Sequence, residues 1–389
     1  MKKYVLADRF FYANSTKARG YLELNQGCFG QFYEKLQDSS AEVIDYSGKW
    51  IAPGLVDTHI HGFFGVDVMD NDWQGVTQTM SEGLLSCGVT SFLPTTLTAP
   101  RDVLKEICQG IGGHYKEARG AKIQGIYFEG PYFTEEHKGA QNPSYMRLPD
   151  ASEFQEWQEV SGGIIVKIGV APELNGICDF IRTVSESGVV VALGHSNATF
   201  AQANCAVNSG ANVWVHAYNG MRGFAHREPG MVGAVMTQKD TYAELICDGY
   251  HVHPSAAKIL MDVVDRDHVV LITDCMRAGG MMDGEYTLGE FKVMVKDGAA
   301  RLSSGNLAGS VLLLKDAMKN VVDWGIATPE VAVRMASLIP ARSCKIEDVC
   351  GKIMEGRSAD FLVLNQDMSL VATYLDGELR YENKSQIVK

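Results

Sequence analysis

Six side chains able to hold a metal ion or move a proton are scattered along this chain: His59, His61, Glu129, His195, His216 and Asp274. The first two end the run Pro53-Gly54-Leu55-Val56-Asp57-Thr58-His59-Ile60-His61-Gly62. Positions i and i+2 of an extended chain face one side, so a strand ending here aims both imidazoles at one point. That geometry chelates a divalent ion, and a catalytic metal site keeps one position open for water. Taken alone, the pair reads better as two solvent-facing histidines in a loop. The elements that carry the other four residues change that balance.

Apolar, β-branched runs alternate with helical stretches through the middle of the chain, the pattern of a parallel α/β fold. Eight strands are predicted, at 51–59, 90–94, 122–129, 164–171, 189–195, 213–216, 243–248 and 269–274. Helices are predicted at 73–86, 101–115, 151–159, 178–187, 199–209, 254–265, 310–324 and 328–339, the first with an Asn71-Asp72 start and a stop at Gly88. Eight such units make a (β/α)8 TIM barrel, and the six residues fall at the ends of strands one, three, five, six and eight. In that barrel all these ends open onto one face, where active sites lie. A single polar residue at a strand end is ordinary; six of metal-ligand or acid/base type on five strands are not.

Short alternating segments at both ends of the chain, such as Lys3 to Asp8, Tyr21 to Leu24, Ala359 to Leu364 and Leu370 to Tyr374, read as strands. Neither end is large enough to fold alone, so the two are expected to form one small β-sandwich domain. The expected division is 1–52 and 346–389 for that domain and 53–345 for the barrel.

A chain of 389 residues, 46% hydrophobic, holds a barrel and an appendage of this size. Its apolar runs are strand-sized, well below the roughly 20 residues of a membrane span, and Met1-Lys2-Lys3 leads into polar sequence, so the expectation is a cytoplasmic protein with no membrane contact. Nine cysteines without a C-x-x-C pair read as reduced thiols. A net charge of −12 argues against nucleic acid as a partner, which needs a basic face.

These residues resemble the amidohydrolase superfamily. Within it, Glu129-Gly130-Pro131-Tyr132, Gly194-His195-Ser196-Asn197-Ala198-Thr199, His216-Ala217-Tyr218-Asn219-Gly220-Met221, Arg227-Glu228-Pro229-Gly230, Asp248-Gly249-Tyr250-His251 and Leu307-Ala308-Gly309-Ser310 resemble the N-acetylglucosamine-6-phosphate deacetylase family. The resemblance implies hydrolysis of an N-acetyl amino-sugar phosphate to acetate and the free amine, in amino-sugar catabolism and recycling. It implies one divalent ion on Glu129, His195 and His216 and a second on His59 and His61 with Glu129 bridging, zinc or iron foremost, with manganese and cobalt as further candidates. It assigns substrate contacts to Asn219, the Gly220 amide, His251, Leu307 and, from the partner subunit of a homodimer, Arg227. Gln141 stands where some members carry a histidine that contacts the scissile amide, and a glutamine can donate that bond but cannot become cationic.

Several of these residues keep a second reading. Asp274 is placed to take a proton from water and return it to the leaving amine, or to serve as a plain ligand. Arg227 suits phosphate through paired hydrogen bonds, or forms a surface ion pair. Leu307 caps the acetyl methyl, while Ser310 reads as the N-cap of the helix after it. Lys167 lies inside strand four and not at its end, unlike the carboxylated lysine of other branches. The glycines around Met276-Arg277-Ala278-Gly279-Gly280 suggest a mobile lid after strand eight. Competing functions are a deacetylase for the galactosamine analogue, another amidohydrolase acting on a cyclic amide, or a non-catalytic barrel.

Overall fold

The computed structural model describes residues 2–36 and 40–384; the extreme ends of the expected terminal pieces lie outside these. Among the described residues, eight parallel barrel strands run in sequence order: Leu55–Ile60, Val89–Thr96, Ile126–Glu129, Ile165–Val170, Val190–Leu193, Val213–Trp214, Tyr242–Ile246 and Val269–Ile272. Six of them are buried along their whole length, because helices cover the outside and side chains fill the inside. The ring closes between the first and last strands through Asp274 N–H to the His59 carbonyl (2.9 Å) and His61 N–H to the Cys275 carbonyl (2.8 Å).

The covering helices follow the apolar period. Ile177–Glu186 buries Ile177, Phe180, Ile181 and Val184, one stripe at helical spacing. Phe200–Asn208 starts at Thr199, whose side chain exchanges bonds with Gln202 in a capping box. The first helical segment has its expected start, with Asp72 accepting from Gly75 N–H, and stop, with Gly88 at φ +75°. Its middle, Gly75–Met80, is π-helical. The chain at Arg119 and Ala121 donates to the Thr77 and Ser81 carbonyls, which opens the turn there.

The terminal strands form one seven-stranded sheet ordered Glu378–Glu382, Leu370–Leu375, Phe361–Leu364, Glu42–Pro53, Lys2–Phe11, Thr16–Asn25, Cys28–Tyr33. The sandwich is this one sheet coiled on itself: Phe29 of an edge strand meets Phe361, and Ala359 N–H reaches the Gly27 carbonyl. Expected strand 51–59 divides at Gly54, its first residues belonging to the terminal sheet. Gly54 has no room for a side chain, since a Cβ would sit 2.0 Å from Thr90 Oγ1.

Among the elements that escaped the sequence reading are a helix and a small sheet. Helix Gly230–Thr237 is apolar nearly all round, so it has no amphipathic period to find. A three-stranded antiparallel sheet, Gly284–Leu288, Phe291–Lys296 and Ala299–Leu302, follows strand eight, and its Asp297-Gly298 turn is a hairpin signal that was there to be read. The loop before that sheet is packed in place, with Met276 and Ala278 buried. Ser310 is not an N-cap; its hydroxyl donates to the Thr273 carbonyl, and the helix begins later, at Leu314–Asp323.

Candidate active site

Strand one delivers His59 and His61 to the barrel mouth at its seam with strand eight, where Asp274 follows. Beneath them the buried Asp57 accepts from the Thr273 hydroxyl at 2.6 Å and lies 3.3 Å from His59 N–H, tying the two strands together. From the far side come Glu129, His195 and His216, which close strands three, five and six. His195, His216 and Asp274 have φ of +46°, +30° and +51°. Non-glycine residues hold this left-handed conformation infrequently, and outside turns it tends to cluster at working sites.

All six groups converge. His195 Nε2 and His216 Nε2 each lie 3.2 Å from Glu129 Oε1, and His59 Nε2 lies 3.3 Å from the same oxygen. His61 Nε2 is 3.3 Å from Glu129 Oε2 and 3.1 Å from Asp274 Oδ1. Two groups emerge, His59, His61 and Asp274, and Glu129, His195 and His216, each with its ligand atoms within 4.8 Å of one another.

The opposite ring nitrogens fix the tautomers. Nδ1 faces the Thr95 carbonyl in His61 (3.1 Å), the His137 carbonyl in His195 (3.0 Å), the Asn219 carbonyl in His216 (3.0 Å) and the Glu244 carboxylate in His59 (3.2 Å). Each partner can only accept, so each Nδ1 donates and each Nε2 is the nitrogen presented to the centre, with its lone pair free when the ring is neutral. Two such nitrogens, on His195 and His216, stand 3.1 Å apart, and the buried Nε2 of His59 has no hydrogen-bond partner among the described residues. Facing lone pairs repel unless positive charge lies between them. Burial alone would raise the Glu129 carboxyl, but the charge of His59 and the bonds from His195 and His216 hold it well below the usual carboxylate range. Burial is likewise outweighed at Asp274 by His59 and His61, which lower it. The same attraction overcomes burial in His59 and His61 and lifts them to about 9 and about 10. The cluster therefore draws cationic charge, and its imidazole and carboxylate donors fit a divalent transition ion.

A cleft opens above it, lined by Leu97, Gly139, Gln141, Asn219, Gly220, His251, Leu307 and Gly309 together with the ligand-type residues. Gln141 is locked: its amide nitrogen donates to Glu129 at 2.6 Å and its oxygen accepts from Thr98 N–H at 2.7 Å. His251 is aimed by Asp248, which takes its Nδ1–H at 2.6 Å. Arg227 stands apart, in the exposed run from Gly223 to Arg227. Its neighbour Glu228 does not pair with it but accepts from Phe200 and Gly230 N–H.

Sequence reasoning missed the supports: Glu244 on strand seven, and the carbonyls of Thr95 and His137. Glu244 was detectable as a carboxylate inside an apolar strand. Backbone carbonyls carry no sequence signal. Lys167, expected inside strand four, is fully buried there and ion-paired with Glu244.

The amidohydrolase family model matches residues 50–380. The chain is 41% identical over 336 residues to an N-acetylglucosamine-6-phosphate deacetylase of Vibrio furnissii, covering 85% of this chain and 83% of that one. It is 40% identical over 338 residues to an N-acetylgalactosamine-6-phosphate deacetylase of Escherichia coli O157:H7, covering 87% and 89%. Among solved structures, an N-acetyl-D-glucosamine-6-phosphate deacetylase variant of Mycobacterium smegmatis in complex with N-acetyl-D-glucosamine-6-phosphate matches with a TM-score of 0.90 at 28% identity, covering 97% and 99%.

Proposed function

This chain belongs to the amidohydrolase family, and on that premise we propose that it hydrolyses the N-acetyl group of N-acetyl-D-glucosamine 6-phosphate, giving D-glucosamine 6-phosphate and acetate. The observation that carries this reading is the convergence of four oriented imidazoles and two carboxylates, three of the imidazoles and both carboxylates lining one cleft. Glu129, His195 and His216 would hold one divalent ion, and His59, His61 and Asp274, with Glu129 between, a second. Bound there, the ion supplies Lewis-acid polarisation of the amide carbonyl and acidifies water, the two difficulties of amide hydrolysis.

The rest falls to the protein. Asp274, held ionised by the positive charge at the rim, accepts the proton of the attacking water and delivers it to the departing nitrogen. Gln141 braces Glu129 and offers its remaining amide hydrogen to the substrate. Leu307 covers the acetyl methyl, while Asn219, the Gly220 amide and His251 hold the sugar phosphate. Among the described residues no lysine or arginine lines the cleft. A phosphate needs such a partner, and Arg227 of a second copy in a cytoplasmic homodimer answers it. Phe224, 62% exposed in the same run, suits burial at that interface.

Acetate release is to be measured with N-acetylglucosamine 6-phosphate, its galactosamine epimer and unphosphorylated N-acetylglucosamine. The expected order has the glucosamine phosphate first and the unphosphorylated sugar far behind. The 40% identity to an N-acetylgalactosamine-6-phosphate deacetylase makes the epimer the competing substrate, and a higher kcat/KM for it would replace our assignment. Release from neither phosphate would overturn the function. Arg227→Ala should raise KM with little change in kcat, and a fully active monomer in dilute solution would refute the shared site.

A further inference from the structure

Three of the four ligand-type imidazoles are backed by neutral carbonyls, of Thr95, His137 and Asn219; His59 alone is backed by a carboxylate, Glu244. That carboxylate is fully buried inside the barrel, and its other oxygen pairs with Lys167 Nζ, also fully buried. Among the described residues Lys167 is the one lysine in the buried interior. Its ammonium stands 3.8 Å from the centre of the Tyr127 ring, and that ring meets His59 edge-on at 5.0 Å. An ion pair withdrawn this far from water loses in hydration about as much as it regains in attraction, so fold stability does not account for it. Its contacts suggest what does. Glu244 Oε2 takes His59 Nδ1–H, which holds the ring in the tautomer that presents Nε2 and makes that nitrogen a stronger donor. Without Lys167 the carboxylate would be an unpaired charge in the core; with it, Glu244 stays ionised and fixed in place. The same oxygen lies 3.4 Å from His216 N–H, but the His216 ring is held independently by the Asn219 carbonyl.

We infer that Lys167 and Glu244 are positioning residues that tune the cation affinity of the His59, His61 and Asp274 group selectively, leaving the Glu129, His195 and His216 group on its neutral supports. The inference rests on the metal reading of both groups. It predicts that the two sites differ in how they respond to one buried pair that touches neither substrate nor cleft.

The test is calorimetric titration of metal-stripped full-length protein with zinc chloride, comparing wild type with Lys167→Met/Glu244→Gln. The double variant removes both charges together, and glutamine keeps an acceptor for both donors. Wild type should show two binding events. In the variant one event should weaken by about 10- to 100-fold while the other stays within about threefold, with the metal-free melting temperature little changed. Two events unaltered, or both weakened alike, would overturn the inference, since a merely structural pair has no reason to choose between sites. A stoichiometry of one zinc per subunit in wild type would overturn it as well, because no separate His59 site would exist. No zinc binding by wild type would instead bring down the metal reading on which it stands. Should the double variant melt before titration, the same comparison is made on the same variant in the cold, by zinc content per subunit after dialysis, with the same deciding outcomes.

Discussion

The barrel mouth and the coiled terminal sheet are both well buried, yet they are built on opposite terms. The sheet's interior is relaxed and apolar: Phe361 stacks on Tyr374 with ring centres 4.3 Å apart and planes 10° apart, over Phe10, Phe29 and Val363. Its positive-φ residues other than glycine, Gln26, Met368 and Asp376, sit in the turns between paired strands, where such backbone is expected. At the mouth, positive φ falls on His195, His216 and Asp274 themselves, and the buried groups are charged. The contrast teaches that at the rim left-handed backbone falls on the working residues themselves and six ionisable groups gather round one point, whereas the core of the sheet rests mainly on hydrophobic contact. The two regions should therefore fail differently.

The largest effect is expected from Asp274→Asn. Asparagine tolerates the left-handed backbone at this position, so kcat should fall about 100- to 10,000-fold with the metal-free melting temperature nearly unchanged. Near wild-type turnover with metal bound would remove Asp274 from proton transfer. Phe361→Ala should do the reverse, costing about 3–5 kcal/mol of stability in chemical denaturation while kcat per folded molecule is kept. A matching loss of turnover would mean that the sheet shapes the site and that the comparison is false.

Chelation should sharpen the contrast. If the rim holds its cation at about 100 times its dissociation constant, stripping it removes about 2.7 kcal/mol of stability, read as a lower melting temperature that added zinc restores. A melting curve indifferent to metal would place the rim's stability in the protein alone. The smallest effect is expected from Gln141→Ala, which belongs to both accounts. It orphans the buried Thr98 N–H and frees one Glu129 oxygen, so about 1–3 kcal/mol of stability should be lost together with about tenfold in kcat. Loss of only one of the two would assign Gln141 to structure or to chemistry.

By itself the sequence determined the barrel, its eight strands in order, and the six residues at their ends. Runs buried on both sides must be apolar throughout, so a polar residue that closes such a run is conspicuous. It also determined that both termini were β-structured, through alternation and turn residues. Strand boundaries, such as the division of 51–59 at Gly54, were decided by pairing, because one continuous apolar run serves two sheets. Tertiary structure alone decided what makes the six residues a site: which nitrogen each imidazole presents, since backbone carbonyls of distant segments choose it, and the strained φ values, since only the closed ring imposes them. It also decided that Lys167 is drawn inward to Glu244. Which partner a buried charge finds depends on how strands four and seven face one another across the barrel interior, a distance that no local pattern encodes.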